Sequence, residues 1–295
     1  AGIKRILGLA APGAPPYNSG AMSKDPEKFF AMKARREPIV ALTCYDALTA
    51  RLEDAAAIDV VLVGDSVGTN LLGRASERDV TMEDMLHHTA AVARGRTEAF
   101  LIADMPYLSY AAPARALENA RRLLAAGADG VKLESGRAIL PQVAALRAEG
   151  IAVCGHLGYT PQTKGPRPAV AGKAAAEARE LIADAEALCG AGIFMLVLEL
   201  VPEELARHIA GRIACPVIGI GSGRGLDGEV QVVNDVLGLT GRAFRHAKAF
   251  ADLRGQAAAA IQAYADAVRA RAFPEERNAT RLPPEVAAEL GIAGE

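Results

Sequence analysis

Cysteine is scarce and unpatterned in this chain of 295 residues. Cys44, Cys154, Cys189 and Cys215 include no CxxC spacing. Three of them fall inside apolar strand-like or helix-like runs. They read as reduced, buried, small hydrophobes of a cytoplasmic protein rather than as a disulfide framework. No apolar run reaches the roughly 18 residues that a membrane-spanning helix requires. The longest, around 194–201, is interrupted by Glu199. Charge of one sign is missing too. A formal net charge of −2 gives no footprint for nucleic acid or an anionic membrane. No GxGxxG or GxxxxGK segment follows the first strand-like runs, which weighs against dinucleotide and P-loop folds.

What remains is an ordinary globular balance, 51% hydrophobic and 23% charged. The length suits one large α/β barrel or two smaller domains. No linker composition breaks the chain between about 39 and 238, so one domain with terminal additions is expected. Its parts are an N-terminal extension over 1–35, a catalytic barrel over 36–245, and a C-terminal helix and tail over 246–295. Residues 1–21 are rich in Gly, Pro and Ala and lack acidic residues. They fit a natural tail or a tag remnant, with a transit-peptide stub as the alternative.

Short β-branched runs alternate with longer runs rich in Ala, Leu, Arg and Glu. Strands are expected at 39–43, 59–63, 100–103, 130–133, 152–154, 195–198, 216–220 and 230–233. Several are continuously apolar, as strands buried on both faces should be. Thr81 to Asp84 spells a capping box that opens a helix. Helical runs that end in Gly before a strand recur at Gly127, Gly150 and Gly192. Eight strands with helices between them predict a (β/α)8 TIM barrel, with a doubly wound sheet as the alternative. A helix over 247–272 is surplus to that barrel and carries Phe250, Leu253, Ala257, Ile261 and Tyr264 at helical spacing.

The polar residues cluster at strand ends. Tyr45 and Asp46 follow the first strand, Asp65 and Ser66 the second, Asp104 the third, Glu134 the fourth and His156 the fifth. Glu199 ends the sixth, and Gly221 and Ser222 end the seventh. In a barrel these ends converge on one face, where active sites lie. Asp65, Asp104 and Glu134 come from adjacent strands. Carboxylates brought together repel unless a cation offsets them, and Mg2+ suits an oxygen-only set. Glu199 stands apart, placed to act as a base. Lys132 shares a strand face with Glu134, so it either holds an anionic substrate or forms an ion pair with Glu134. A single Asp after a strand is more often a helix cap than a ligand. Six such positions in succession favour a site. Gly221–Ser222–Gly223 reads as a phosphate loop or a simple tight turn. His208 and His246 read as surface residues on helices, and His87 and His88 as a solvated or packing pair.

At these same residues the sequence resembles the ketopantoate hydroxymethyltransferase family. The matching segments include LTCYD at 42–46, LVGDSVG at 62–68, ADMPYLSY at 103–110, GADGVKLESG at 127–136, VCGHLGYTPQ at 153–162, LVLELVPEEL at 196–205 and VIGIGSG at 217–223. The likeness runs collinearly from about 36 to 273. It implies transfer of a hydroxymethyl group from 5,10-methylenetetrahydrofolate to the 2-oxo acid 3-methyl-2-oxobutanoate, giving 2-dehydropantoate for pantothenate and coenzyme A. By this resemblance Asp65, Asp104 and Glu134 hold Mg2+, Ser66 and Lys132 bind the oxo acid together with Asp65 and Asp104, His156 lines the pocket, and Glu199 accepts the proton. A homo-oligomer, often a decamer, is implied as well. The loop TKGPRPAVAGK at 163–173 departs from the family pattern, on the side expected for folate. A Mg2+-dependent oxo-acid lyase or aldolase on a similar barrel would share the carboxylates without needing folate. A non-catalytic ligand-binding barrel would leave them without purpose.

Overall fold

The computed structural model describes residues 24–165, 167–241 and 244–292. Most of the extension expected to be a tail, 1–21 included, lies outside them. Eight strands form one closed, all-parallel barrel in sequence order. They are β1 Ile39–Thr43, β2 Val60–Val63, β3 Phe100–Asp104, β4 Gly130–Glu134, β5 Ala152–Gly158, β6 Met195–Glu199, β7 Val217–Ile220 and β8 Gly228–Gln231. The longer helices are α1 Glu27–Arg35, α2 Ala47–Ala55, α3 Met82–Gly95, α4 Pro113–Ala125, α5 Leu140–Ala148, α6 Ala175–Gly190, α7 Glu203–Arg212 and α8 Leu253–Arg269.

Strand periodicity sorts the core into two layers. Val60, Leu62, Phe100, Ile102, Ala152, Cys154, Met195 and Val197 fill the barrel interior. Their neighbours Val61, Val63, Leu101, Val153 and Leu196 face outward and pack under the helices. The Thr81–Asp84 capping box opens α3 as expected. Gly127, at φ +108 after α4, admits no side chain, because a Cβ there would stand 2.5 Å from the Ala93 Cβ.

Five features differ from the sequence expectation, the first being that β5 runs on to Gly158 instead of ending at Cys154. β8 begins two residues early, at Gly228, whose backbone lies so close to β1 that a Cβ would meet the Ile39 carbonyl at 2.2 Å. Only glycine fits that approach, and strand propensity gives it no weight. Helix α1, inside the segment set aside as an extension, plugs the lower end of the barrel. Phe29 packs there on Phe100 and Phe194, with centroids 5.5 and 6.0 Å away. Among the described residues no helix joins β7 to β8. Finally, α8 starts at Leu253, so Phe250 precedes it, and none of its residues is buried.

Candidate active site

The same period that fills the interior with apolar side chains ends in ionisable ones. Along β3 the inward sequence is Phe100, Ile102, Asp104. Along β5 it is Ala152, Cys154, His156, and along β6 Met195, Val197, Glu199. Lys132 and Glu134 end the inward row of β4. Asp65 and Ser66 follow β2, where the chain turns into a short helix, Val67–Asn70. All seven expected residues, Asp65, Ser66, Asp104, Lys132, Glu134, His156 and Glu199, line one cavity of about 390 Å³ at the C-terminal mouth. That volume falls in the range of small-molecule sites, roughly 300–1,000 Å³.

Strand register sets the contacts. Asp104 lies opposite Lys132, and the ammonium pairs with Asp104 Oδ1 at 2.8 Å. The ion-pair partner of Lys132 is therefore Asp104, not the Glu134 that shares its strand face. Burial would lower the Lys132 pKa, but Asp104, Asp65 and Glu134 outweigh it and keep the ammonium firmly charged. The other Asp104 oxygen accepts the backbone N–H of Asp65 at 3.0 Å. Glu134 lies opposite His156 in the register. The imidazole bridges two carboxylates, with Nδ1 at 3.4 Å from Glu134 Oε1 and Nε2 at 3.3 Å from Glu199 Oε2. Burial and Lys132 disfavour its charge, yet contacts with Glu134 and Glu199 hold its pKa up at about 9. Glu199 is thus not isolated, since its neighbour is an imidazole that favours a negative partner. Burial, with Asp104 and Glu134 nearby, raises Asp65 well above the usual carboxylate range.

Other strand-end residues do different work. Asp46 caps α2 by accepting from the N–H groups of Leu48 and Thr49, so the ordinary helix-cap role holds there. Ser222 turns inward and donates to the Leu198 carbonyl at 2.7 Å. Its loop ties β7 to β6. His88 is buried, with Nδ1 2.7 Å from the Tyr45 carbonyl oxygen. His246 is not on a helix and lines the cavity beside Phe244. Tyr45, noted at the end of the first strand without a role, has its hydroxyl 2.8 Å from Ser66 Oγ. Sequence reasoning missed Gln162, which reaches Asp65 and Glu134; it lies inside a family-like segment, but nothing in its spacing singled it out.

Among the described residues no group of three or more Asp, Glu, His or Cys donors is placed to hold a metal ion between them. A hard cation of the Mg2+ kind does not need one, because it is commonly held by one or two carboxylates together with water and substrate oxygens. The site fits that description. Gln162 takes one oxygen of each of two carboxylates, Asp65 Oδ2 and Glu134 Oε2. Asp65 Oδ1 is left for a cation, while Glu134 Oε1 faces His156 Nδ1 at 3.4 Å and both Asp104 oxygens are taken by Lys132 and the Asp65 N–H.

A family model described as ketopantoate hydroxymethyltransferase matches residues 24–276. The chain is 50% identical over 255 residues to the 3-methyl-2-oxobutanoate hydroxymethyltransferase of Roseiflexus sp. (strain RS-1), covering 85% of this chain and 92% of that protein. It is 48% identical over 266 residues to the enzyme of the same name from Chloroflexus aurantiacus, covering 88% and 94%. Among solved structures it is similar to a phosphonopyruvate hydrolase crystallised with oxalate and Mg2+, at TM-score 0.58 and 12% identity, covering 90% of this chain and 94% of that one. A likeness to an oxaloacetate acetylhydrolase has TM-score 0.55 and 18% identity, covering 91% and 98%. At these identities the structural likenesses speak to the barrel fold alone.

Proposed function

The chain belongs to the ketopantoate hydroxymethyltransferase family, and from that premise we propose that it transfers the hydroxymethyl group of 5,10-methylenetetrahydrofolate to 3-methyl-2-oxobutanoate through an enolate. The observation that carries this reading is one cavity in which a lysine, an acidic wall and a separate carboxylate meet. Asp65 would hold Mg2+, with Asp104 and Glu134 completing the acidic wall around it. The bound ion would supply a Lewis acid for the ketone oxygen of the oxo acid, where charge develops as the C3 proton leaves.

The chain's own groups do the rest. Lys132 and Ser66 hold the anionic end of the oxo acid, and Tyr45 fixes the Ser66 hydroxyl. Glu199 takes the C3 proton. His156, in contact with both Glu199 and Glu134, keeps the base in place beside the acidic wall. Most of these groups are buried, which fixes their positions and helps to orient the two substrates.

The test is direct. Purified protein is mixed with the oxo acid, methylenetetrahydrofolate and Mg2+, and 2-dehydropantoate is followed by mass spectrometry. A second tube omits folate and reads exchange of the C3 proton in D2O. Exchange with no product in either tube would point to enolate chemistry without folate. Neither signal from a folded protein would end the proposal.

A further inference from the structure

Gln162 is nearly fully buried, at 1% exposure, and uses every polar atom it has. It sits on the short helix Pro161–Lys164 that follows β5. Its side-chain Nε2 donates to Asp65 Oδ2 at 2.8 Å and to the Met105 carbonyl at 3.0 Å. Its Oε1 accepts from the Tyr110 hydroxyl at 2.5 Å. Its backbone N–H donates to Glu134 Oε2 at 3.0 Å. Two acceptors at one end of the amide and a donor at the other settle which end is nitrogen. The turn is clamped from outside by Arg78, which donates to the carbonyls of Gln162 at 2.8 Å and Thr163 at 3.0 Å. One residue therefore grips two carboxylates that come from different strands.

The residue type matters as much as the place. Asn is one methylene shorter, and Glu would add a further negative charge beside Asp65. Lys or Arg would donate equally well but would bring a cation to the wall. The glutamine side chain satisfies Asp65 Oδ2 with a neutral donor, beside the backbone N–H that serves Glu134 whatever the side chain, so the net charge of the wall is untouched.

We propose that Gln162 is a positioning residue for the divalent cation, its side-chain amide holding Asp65 Oδ2 so that Asp65 Oδ1 stays free to meet the ion. This rests on the Mg2+ reading above. It differs from a purely structural tie in what it changes: affinity for the cation, and not the rate once the cation is bound.

The experiment uses Mn2+ as the probe. Its binding is read by electron paramagnetic resonance on the full chain, wild type and Gln162→Met. Methionine keeps the volume and the backbone donor to Glu134 but loses the side-chain grip on Asp65. The Mn2+ dissociation constant is expected to rise about 10- to 100-fold, as for loss of partners behind metal ligands. At saturating Mn2+, C3-proton exchange should stay within about threefold of wild type, because the base is not touched. Wild type that binds no Mn2+ would sink the metal reading itself. Wild type that binds, with the variant within about twofold of it, would overturn the role of Gln162 alone. Should Gln162→Met fail to fold, Gln162→Asn serves instead. It keeps an amide and the backbone donor to Glu134 but is one methylene short of Asp65 Oδ2. The same rise in the Mn2+ constant supports the proposal, and a constant within about twofold of wild type overturns it.

Discussion

The two ends of the barrel are made from the same strands and could hardly differ more. β3 opens on Phe100 and closes on Asp104. β6 follows Phe194 and closes on Glu199. At the lower end Phe29, Phe100 and Phe194 form a dry aromatic plug under α1. At the upper end Asp104, Lys132, Glu134 and His156 are buried as deeply as the phenylalanines. Burying charge costs several kcal/mol per ion, and mutual attraction offsets that only with good geometry. Burying a phenylalanine is favourable by about 1.5–3 kcal/mol. The lower end thus stabilises the fold, while the upper end draws on that stability to hold a charged site. Breaking each end in turn should separate the two contributions.

The largest effect is expected at the upper end. Glu199→Gln should cut exchange of the C3 proton by about 10²–10⁴ while leaving the fold intact. Circular dichroism and exchange in D2O read both. Wild-type exchange in the variant would remove Glu199 from the base role. Lys132→Ala comes next, because it touches both contributions. It strips Asp104 of its ion-pair partner at 2.8 Å, and breaking a buried pair in this way costs about 3–5 kcal/mol. The KM for the oxo acid should rise as well. A lower melting temperature with an unchanged KM would make Lys132 structural only.

Phe29→Ala tests the lower end. It should destabilise the barrel by about 3–5 kcal/mol in denaturant titrations, the usual range for emptying a buried phenylalanine site. Activity per folded molecule should not move. A large loss of kcat in folded protein would mean that the two ends are coupled, and the comparison drawn above would fail.

Much of this contrast was legible in the sequence, and the limits are physical. Continuous apolar runs place β2 and β3 because both faces of such strands are covered. Period-two alternation then carries the reader from Phe100 to Asp104 and from Met195 to Glu199. Three things resisted. Asp46 occupies the same strand-end position as the site carboxylates, yet it caps α2, and only the turn geometry tells these roles apart. Lys132 shares a face with Glu134 along its own strand, but its partner is set by the register of β3 against β4, which no local pattern encodes. Gln162 and Phe29 matter through contacts with distant residues, and neither has a composition or spacing that announces this.

The smallest effect on the barrel is expected at α8, a third region that belongs to neither end. It carries Ile261 and Tyr264 at 68% and 61% exposure, so its apolar stripe is left uncovered by the described residues. Folding back over its own barrel is therefore not what this helix does. An amphipathic helix of this length needs its stripe buried somewhere, and the barrel wall offers a matching gap. Among the described residues β7 and β8 are joined without a helix, and Val40 on the adjoining β1 is 47% exposed. Were copies of this chain to associate, the stripe of one could meet the open wall of another, as a symmetric assembly would require. The double substitution Ile261→Glu with Tyr264→Glu should change the stability of the isolated barrel by no more than about 0.5 kcal/mol, as for surface positions generally. Light scattering should show the assembly falling to smaller species. If the mass is unchanged in a folded variant, α8 is not the contact that joins the copies. If the barrel itself unfolds, the helix is packed on its own chain after all.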